Sequence, residues 1–450
     1  MSRDSSTSYI KSRSTPRDAG KTMRVLFALF SIYLVLPLVD VPVFGFSLSA
    51  VLFALIFLLS IRSKRYSFSK YQGWLLLAVW IAFGVLLSFF LNGFLSGGTD
   101  IEGASIAVHY LYWLFLFVVV LYLLSEGVVS IQKVVEILGM SVFILALLRV
   151  FELAFLGKIG AWTGTRFFPQ NTYGFLFSMF VPTNYYLILE KRGREKWFAV
   201  IRLLVILLAV LVNGSRGSWI ALGISLAAFL ILAVISMRSV KPLGTFLLVL
   251  LVISVGYLSF RNLMPYNVVA AFDSRFGTFD TLDTDKSYGI RLLQTQKGLR
   301  LFSESPLVGV GPGRFRWEFV ELDLPDYLSY GSQEHFNRLS AHNSYIGFLA
   351  EGGLIASIPF AMLVISLAVS GGIGCIRLLR AGEYWALGVY LCFISMSVHM
   401  WSISSLTNTA NWFIYALNVA MIERTHSFPG GEHGVKAGVS LPRSRIIKRG

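Results

Sequence analysis

Apolar runs separated by short polar breaks recur from residue 25 to residue 422, with no strict period-two alternation. Most approach the roughly 17–25 residues that a helix needs to cross a hydrocarbon core. The pattern predicts spans at 25–39, 46–61, 74–91, 106–124, 134–156, 173–189, 197–212, 218–235, 243–260, 345–370, 384–401 and 411–422. Strands of a membrane barrel would be shorter and would alternate apolar with polar. The expected fold is an all-α polytopic membrane protein of about 12 transmembrane helices.

One interruption is out of scale with the rest. Residues 261–343 form an 83-residue polar segment, and loops of that length are more often functional than structureless. Two helices are expected within it, one from Gly289 through Phe302 that ends before Pro306, the other from Arg314 to Leu322. The segment is too short for a standard catalytic domain and reads as a lid over a cavity formed by the helices. Five regions follow: a basic, Ser-rich, disordered tail (1–24), helices one to nine (25–260), the large loop (261–343), helices ten to twelve (344–422) and a basic tail (423–450). The first apolar run lacks a small-residue cleavage site and is followed by another span, so it is expected to act as an uncleaved anchor.

Composition agrees: 55% of residues are hydrophobic and 14% charged, against about 25% charged in soluble domains. The net charge of +15 would suggest nucleic acid in a soluble chain, but its distribution gives a different reason. With a cytoplasmic N-terminus, 25 of the 39 Lys and Arg residues fall in inner segments and nine in the 261–343 loop. Short cytoplasmic loops carry this excess, so both termini are expected inside and the large loop outside. No nucleic-acid partner is implied. Cys375 and Cys392 lie on or near the last spans and offer neither a disulfide framework nor a metal set.

Candidate chemistry gathers at the outer ends of the spans. His342, in Ala341-His342-Asn343-Ser344-Tyr345, sits where the large loop re-enters the bilayer. A lone histidine is more often a cap or an interfacial residue, but here it is placed for proton transfer at a membrane surface. Arg216 lies in the hairpin Asn213-Gly214-Ser215-Arg216-Gly217, where an arginine is on the disfavoured face and small neighbours leave backbone N–H groups able to hold an anion. Arg291 falls on the first loop helix and Arg166 precedes Phe167-Phe168-Pro169-Gln170-Asn171. Asp283-Thr284-Asp285 has metal-carboxylate spacing but reads equally as an acidic turn. Gly309-Val310-Gly311-Pro312-Gly313 is a tight turn rather than a dinucleotide fingerprint. Arg149 and Glu152, one helical turn apart inside a span, read as a pair.

These residues resemble the O-antigen ligase and polymerase family of bacterial envelope glycosyltransferases over roughly 25–422. His342-Asn343 and Gly353 match the family's His-[Asn/Ser/Gln]-x9-Gly pattern. Ser215-Arg216-Gly217, Arg291 upstream of Ser305-Pro306-Leu307-Val308-Gly309, and Pro169-Gln170-Asn171 follow in the family's order. The resemblance implies an enzyme of the bacterial cytoplasmic membrane that moves a glycan from an undecaprenyl-diphosphate carrier to an acceptor hydroxyl, with no cofactor and no metal. The acceptor is a lipid A-core sugar or a growing polymer. Arg216, Arg291 and Arg166 would bind the diphosphate and His342 would be the general base, with Ser215, Asn343 and Gly353 supporting. The alternative from another class is a multi-helix transporter or flippase of lipid-linked glycans.

Overall fold

The computed structural model describes residues 17–36, 48–61, 69–95, 101–156, 170–237 and 284–426 (without 329, 330 and 407), with eight isolated positions between 244 and 277. The described chain runs α1 (Arg17–Val35), α2 (Leu48–Ile61), α3 (Gln72–Leu95), α4 (Ile101–Ser125), α5 (Ile131–Leu156), α6 (Gln170–Phe180), α7 (Tyr185–Glu190), α8 (Gly193–Asn213) and α9 (Arg216–Met237). It continues with α10 (Lys286–Glu304), α11 (Gln333–Asn337), α12 (Ser344–Arg380), α13 (Trp385–His399) and α14 (Thr409–His426). No strand occurs among the described residues.

Among the described residues, five helical stretches are long and apolar enough to cross a membrane: Ser69–Phe94, Ile101–Ser125, Ile131–Glu152, Arg216–Ser236 and Ser344–Arg380. Two shorter apolar helices, Ala50–Ser60 and Trp385–His399, accompany them. The chain is an all-α membrane protein. Among the described residues the expected count of twelve spans is not reached. The stretch expected at 243–260 lies almost wholly outside the described residues. The stretch expected at 173–189 is interrupted by a 3-10 turn at Val181–Asn184 that contains Pro182, whose ring cannot continue the α-helical ladder.

Small residues set the closest helix approach. A β-carbon at Gly84 of α3 would lie 2.7 Å from the Ala356 Cα of α12, so the two backbones touch as small residues allow in lipid. Aromatics fill the centre: Trp113 of α4 and Trp412 of α14 stack with ring centroids 6.1 Å apart, and Tyr110 packs edge-on to Trp113 at 4.7 Å. Arg149 and Glu152 pair at 2.9 Å on α5, as their spacing suggested, with side-chain exposures of 1% and 8%.

The loop part has its own apolar core, made by Leu293, Leu301, Phe315, Val320, Leu328 and Phe336 among others. The first expected loop helix is α10, three residues longer at its start than the pattern suggested. The second is a correction. Arg314–Arg316 forms only a 3-10 turn, and residues 319–325 have no helical structure. Side-chain amides compete for that backbone. Asn337 receives the Val320 N–H and donates to the Val320 carbonyl, both at 2.9 Å, and Gln333 does the same at Leu322. They act as a strand partner would, which removes the reason to coil.

Candidate active site

The arginine hairpin is built by a helix end. Gly214, at φ 68°, closes α8 in the left-handed conformation that favours glycine, and its N–H bonds to Leu211 O. Ser215 follows, and Arg216 is already the first residue of α9. Its Nη2 donates to Asp285 Oδ1 at 2.8 Å, with side-chain exposures of 10% and 11%. The same Asp285 oxygen receives the Tyr288 N–H at 2.7 Å, so this carboxylate also caps α10. One residue therefore ties the arginine hairpin to the helix that carries Arg291. Sequence reasoning treated Asp285 as an acidic turn. The available signal was an Asp directly preceding a helical run.

The charges at this junction act on one another. Burial pulls the Arg291 guanidinium down and Arg216 adds to that, while Asp285 opposes it. Burial pushes the Asp285 carboxyl up. Its hydrogen bonds from Arg216 and the Tyr288 N–H, with the charges of Arg216 and Arg291, outweigh this and hold it below the usual range. Arg216 is thus paired with the Asp285 carboxylate, and Arg291 feels its charge without a direct contact.

His342 reaches the same field. Burial, Arg291 and then Arg316 hold its imidazole below the usual range, so at neutral pH the ring is neutral and able to accept a proton. Among the described residues His342 is the only non-glycine with positive φ, at 50°. Such a conformation costs of order 1–3 kcal/mol and persists only where its surroundings over-determine it. They do so here. Asn343, not His342, caps α12, its side chain accepting from the Tyr345 and Ile346 N–H groups at 3.0 and 3.2 Å. The next residue is clamped: Ser344 N donates to Met400 O at 2.8 Å, and Ser344 Oγ donates to Ile403 O and accepts from Ser405 N.

Gly353 has a structural task. It takes φ 59° and ψ −164° inside α12, a conformation essentially restricted to glycine, and a β-carbon there would lie 2.4 Å from Leu307 O. The helix breaks, and the Ser305–Gly313 turn supplies the missing partners. Leu354 N and Ile355 N donate to Pro306 O and Leu307 O instead of to Ala350 O and Glu351 O. Those two carbonyls accept from Val310 N at 2.9 Å and Gly311 N at 3.1 Å, and Glu351 O also accepts from Ser88 Oγ. Gly309, Gly311 and Gly313 all have positive φ, as a tight turn requires. The glycine ten residues after the His-Asn pair therefore locks the large loop to the first part of α12, the helix that begins directly after His342-Asn343.

Further residues lie near the site, and of these only Trp317 stands out from sequence, as an interfacial aromatic. His399 ends α13 with Nδ1 2.6 Å from Ser178 Oγ, and a β-carbon at Gly217 would lie 3.2 Å from its Nε2. Arg316, with Glu102 and Glu351, lines a cavity of about 220 Å³ that also touches Ala341 and Asn343. Exposed Trp317 donates its indole N–H to Glu102 at 2.9 Å, with Arg338 stacked 5.0 Å above its ring. Nothing in the local sequence marks the partners of Trp317 or the other residues, because their neighbours come from distant elements. Arg166 lies outside the described residues. Among the described residues no group of three or more His, Cys, Asp or Glu side chains is arranged to hold a metal ion.

No curated protein matches the chain. The family model described as O-antigen ligase matches residues 201–361, a stretch that contains Arg216, Arg291, His342 and Gly353. The chain thus carries, from residue 201 to 361, the resemblance to the O-antigen ligase family that its motifs indicate, which supports a membrane glycosyltransferase-like role in polysaccharide assembly.

Proposed function

We propose that the protein transfers a glycan from an undecaprenyl-diphosphate carrier to an acceptor hydroxyl, at the outer face of the bacterial cytoplasmic membrane, with both termini cytoplasmic. The observation that carries this reading is the junction at Asp285, which pairs with Arg216 at 2.8 Å and caps the helix that carries Arg291, while the charge of Arg291 holds the His342 imidazole below its usual range. A guanidinium stays charged and bonds phosphate oxygens in bidentate fashion, so Arg216 and Arg291 suit a diphosphate. Arg166 is the third proposed contact.

The step is an inverting displacement. The acceptor oxygen forms a bond to the anomeric carbon from the face opposite the carrier, and its proton passes to the His342 imidazole. The bond from the anomeric carbon to the diphosphate oxygen breaks, and its electron pair leaves with the diphosphate. Preorganised cations aimed at that developing charge are each worth roughly 3–4 kcal/mol of barrier in comparable sites. This chemistry uses no metal and no nucleotide sugar. The acceptor is a lipid A-core sugar or the end of a growing carrier-linked polymer.

The test is turnover in proteoliposomes supplied with extracted undecaprenyl-diphosphate glycans. The wild type should release free carrier diphosphate, and His342→Ala and Arg291→Ala should not. A ladder of products still on the carrier indicates a polymerase, and transfer to added lipid A-core indicates a ligase. Normal turnover by His342→Ala would reject His342 as the base, and no release by the wild type would reject transfer and bring the transporter reading forward.

A further inference from the structure

A second cluster of cations lies at the other end of α8. The helix has 21 residues, about 30 Å at 1.5 Å per residue, so its first turn and Arg216 lie near opposite surfaces of a bilayer. Around that first turn, α5 and α8 enclose an open groove of about 690 Å³ lined by Lys133, Lys191, Arg194 and Arg202. Two carboxylates face the same groove. Glu136 is paired with Lys133 at 3.1 Å, and Glu195 lies 3.9 Å from Lys191. Four cations against two anions leave a positive surplus.

Arg202 is the unusual member. It is only 6% exposed, and its Nε and Nη2 find no hydrogen-bond acceptor among the described residues. Space is kept for it: a β-carbon at Gly139 would lie 2.8 Å from Arg202 Nη2, and the guanidinium carbon sits 5.8 Å from the Phe143 ring centroid. A buried charge with unmet donors is costly unless something supplies an anion. Beyond Lys133, Lys191 and Arg194 the walls turn apolar, with Ile137, Leu187 and the exposed Met140 and Phe198 ahead of the buried Arg202. Cations at the rim and hydrocarbon below match an amphipathic anion better than a free one.

We infer that the α5–α8 groove binds the headgroup of an anionic phospholipid, with Arg202, Lys191 and Arg194 on the phosphate and the acyl chains along Met140 and Phe198. Basic pockets between membrane helices are suited to such headgroups. The site is separate from the proposed diphosphate site, and its occupant would steady α5 against α8.

The experiment measures lipid binding, not transfer, so it stands or falls independently of the proposed activity. Purified, delipidated full-length protein is placed in nanodiscs of phosphatidylcholine alone or with diphosphatidylglycerol, and retained lipid and thermal unfolding are recorded. Diphosphatidylglycerol should be retained by the wild type and raise its unfolding temperature, while inorganic phosphate alone does neither. Arg202→Met should weaken retention on the order of fivefold, and Lys191→Gln/Arg194→Gln by more, since each cation near a membrane surface contributes about that factor. The double variant changes residues at the rim of the groove, so it decides the matter if Arg202→Met does not fold. Equal retention by wild type and double variant, or equal retention of phosphatidylcholine, would overturn the inference. Stabilisation by inorganic phosphate as strong as by the lipid would also overturn it, in favour of a soluble anion.

Discussion

Arg149 and Arg216 are both largely buried arginines with a carboxylate within 3 Å, yet they sit in different kinds of place. Arg149 meets Glu152 one turn along the same helix at 2.9 Å, and the pair is neutral. Arg216 meets Asp285, 69 residues away, and that one carboxylate also caps α10 and faces Arg291. The first arrangement balances its charges within a single helix, with only the neutral Tyr173 of α6 added, its hydroxyl donating to Glu152 at 3.4 Å. The second joins separate elements, leaves positive charge in excess and adds a strained histidine. What separates a structural ion pair from a proposed anion site is therefore the balance of charge and the number of elements committed to it, not burial.

The comparison can be broken from either side. The largest expected effects are on transfer: Arg291→Gln should lower kcat/KM by about 10²–10³ and His342→Ala by about 10²–10⁴, with little change in thermal stability. Arg149→Met should do the reverse, destabilising the protein by about 3–5 kcal/mol because the Glu152 carboxylate is left buried alone. The double variant Arg149→Met/Glu152→Leu should restore stability, and its turnover should match wild type. If the double variant is inactive, the two arginines are not different in kind.

Gly353→Ala comes next. Forcing a β-carbon against Leu307 O should cost about 3 kcal/mol through strain and overpacking. It should loosen the 305–313 turn, detected as faster proteolysis of the large loop. The smallest effect sharpens the role of His342. Removing the positive charge in Arg316→Gln makes the imidazole easier to protonate, so its pKa rises toward the ordinary value. The acid limb of the kcat/KM profile, where activity falls as His342 takes up a proton, should move to higher pH.

The sequence showed the architecture where physics is local. Apolar length marked the membrane helices, Pro182 interrupts one of them, and the Arg149–Glu152 pair follows from helical spacing alone. Arg216, Arg291 and His342 stood out as candidates because short motifs surround them. Their connections were not. Asp285 acquires its role from an arginine 69 positions earlier, and His399 from Ser178 on another helix. Gly353 could be recognised as part of a motif, but the motif does not say that it opens α12 so that a turn some 45 residues upstream can complete the hydrogen bonding. The helix expected at 314–322 and not formed has the same origin, since the amides of Gln333 and Asn337 override local propensity from a distance.

The most direct test of the central claim is equilibrium binding of undecaprenyl diphosphate to the protein in nanodiscs, compared among wild type, Arg216→Gln, Arg291→Gln and Arg149→Met/Glu152→Leu. Wild type and the Arg149/Glu152 double variant should bind alike, and Arg216→Gln and Arg291→Gln should each bind at least about tenfold more weakly, as loss of a charged hydrogen bond to phosphate requires. Undiminished binding by both single variants would contradict the account.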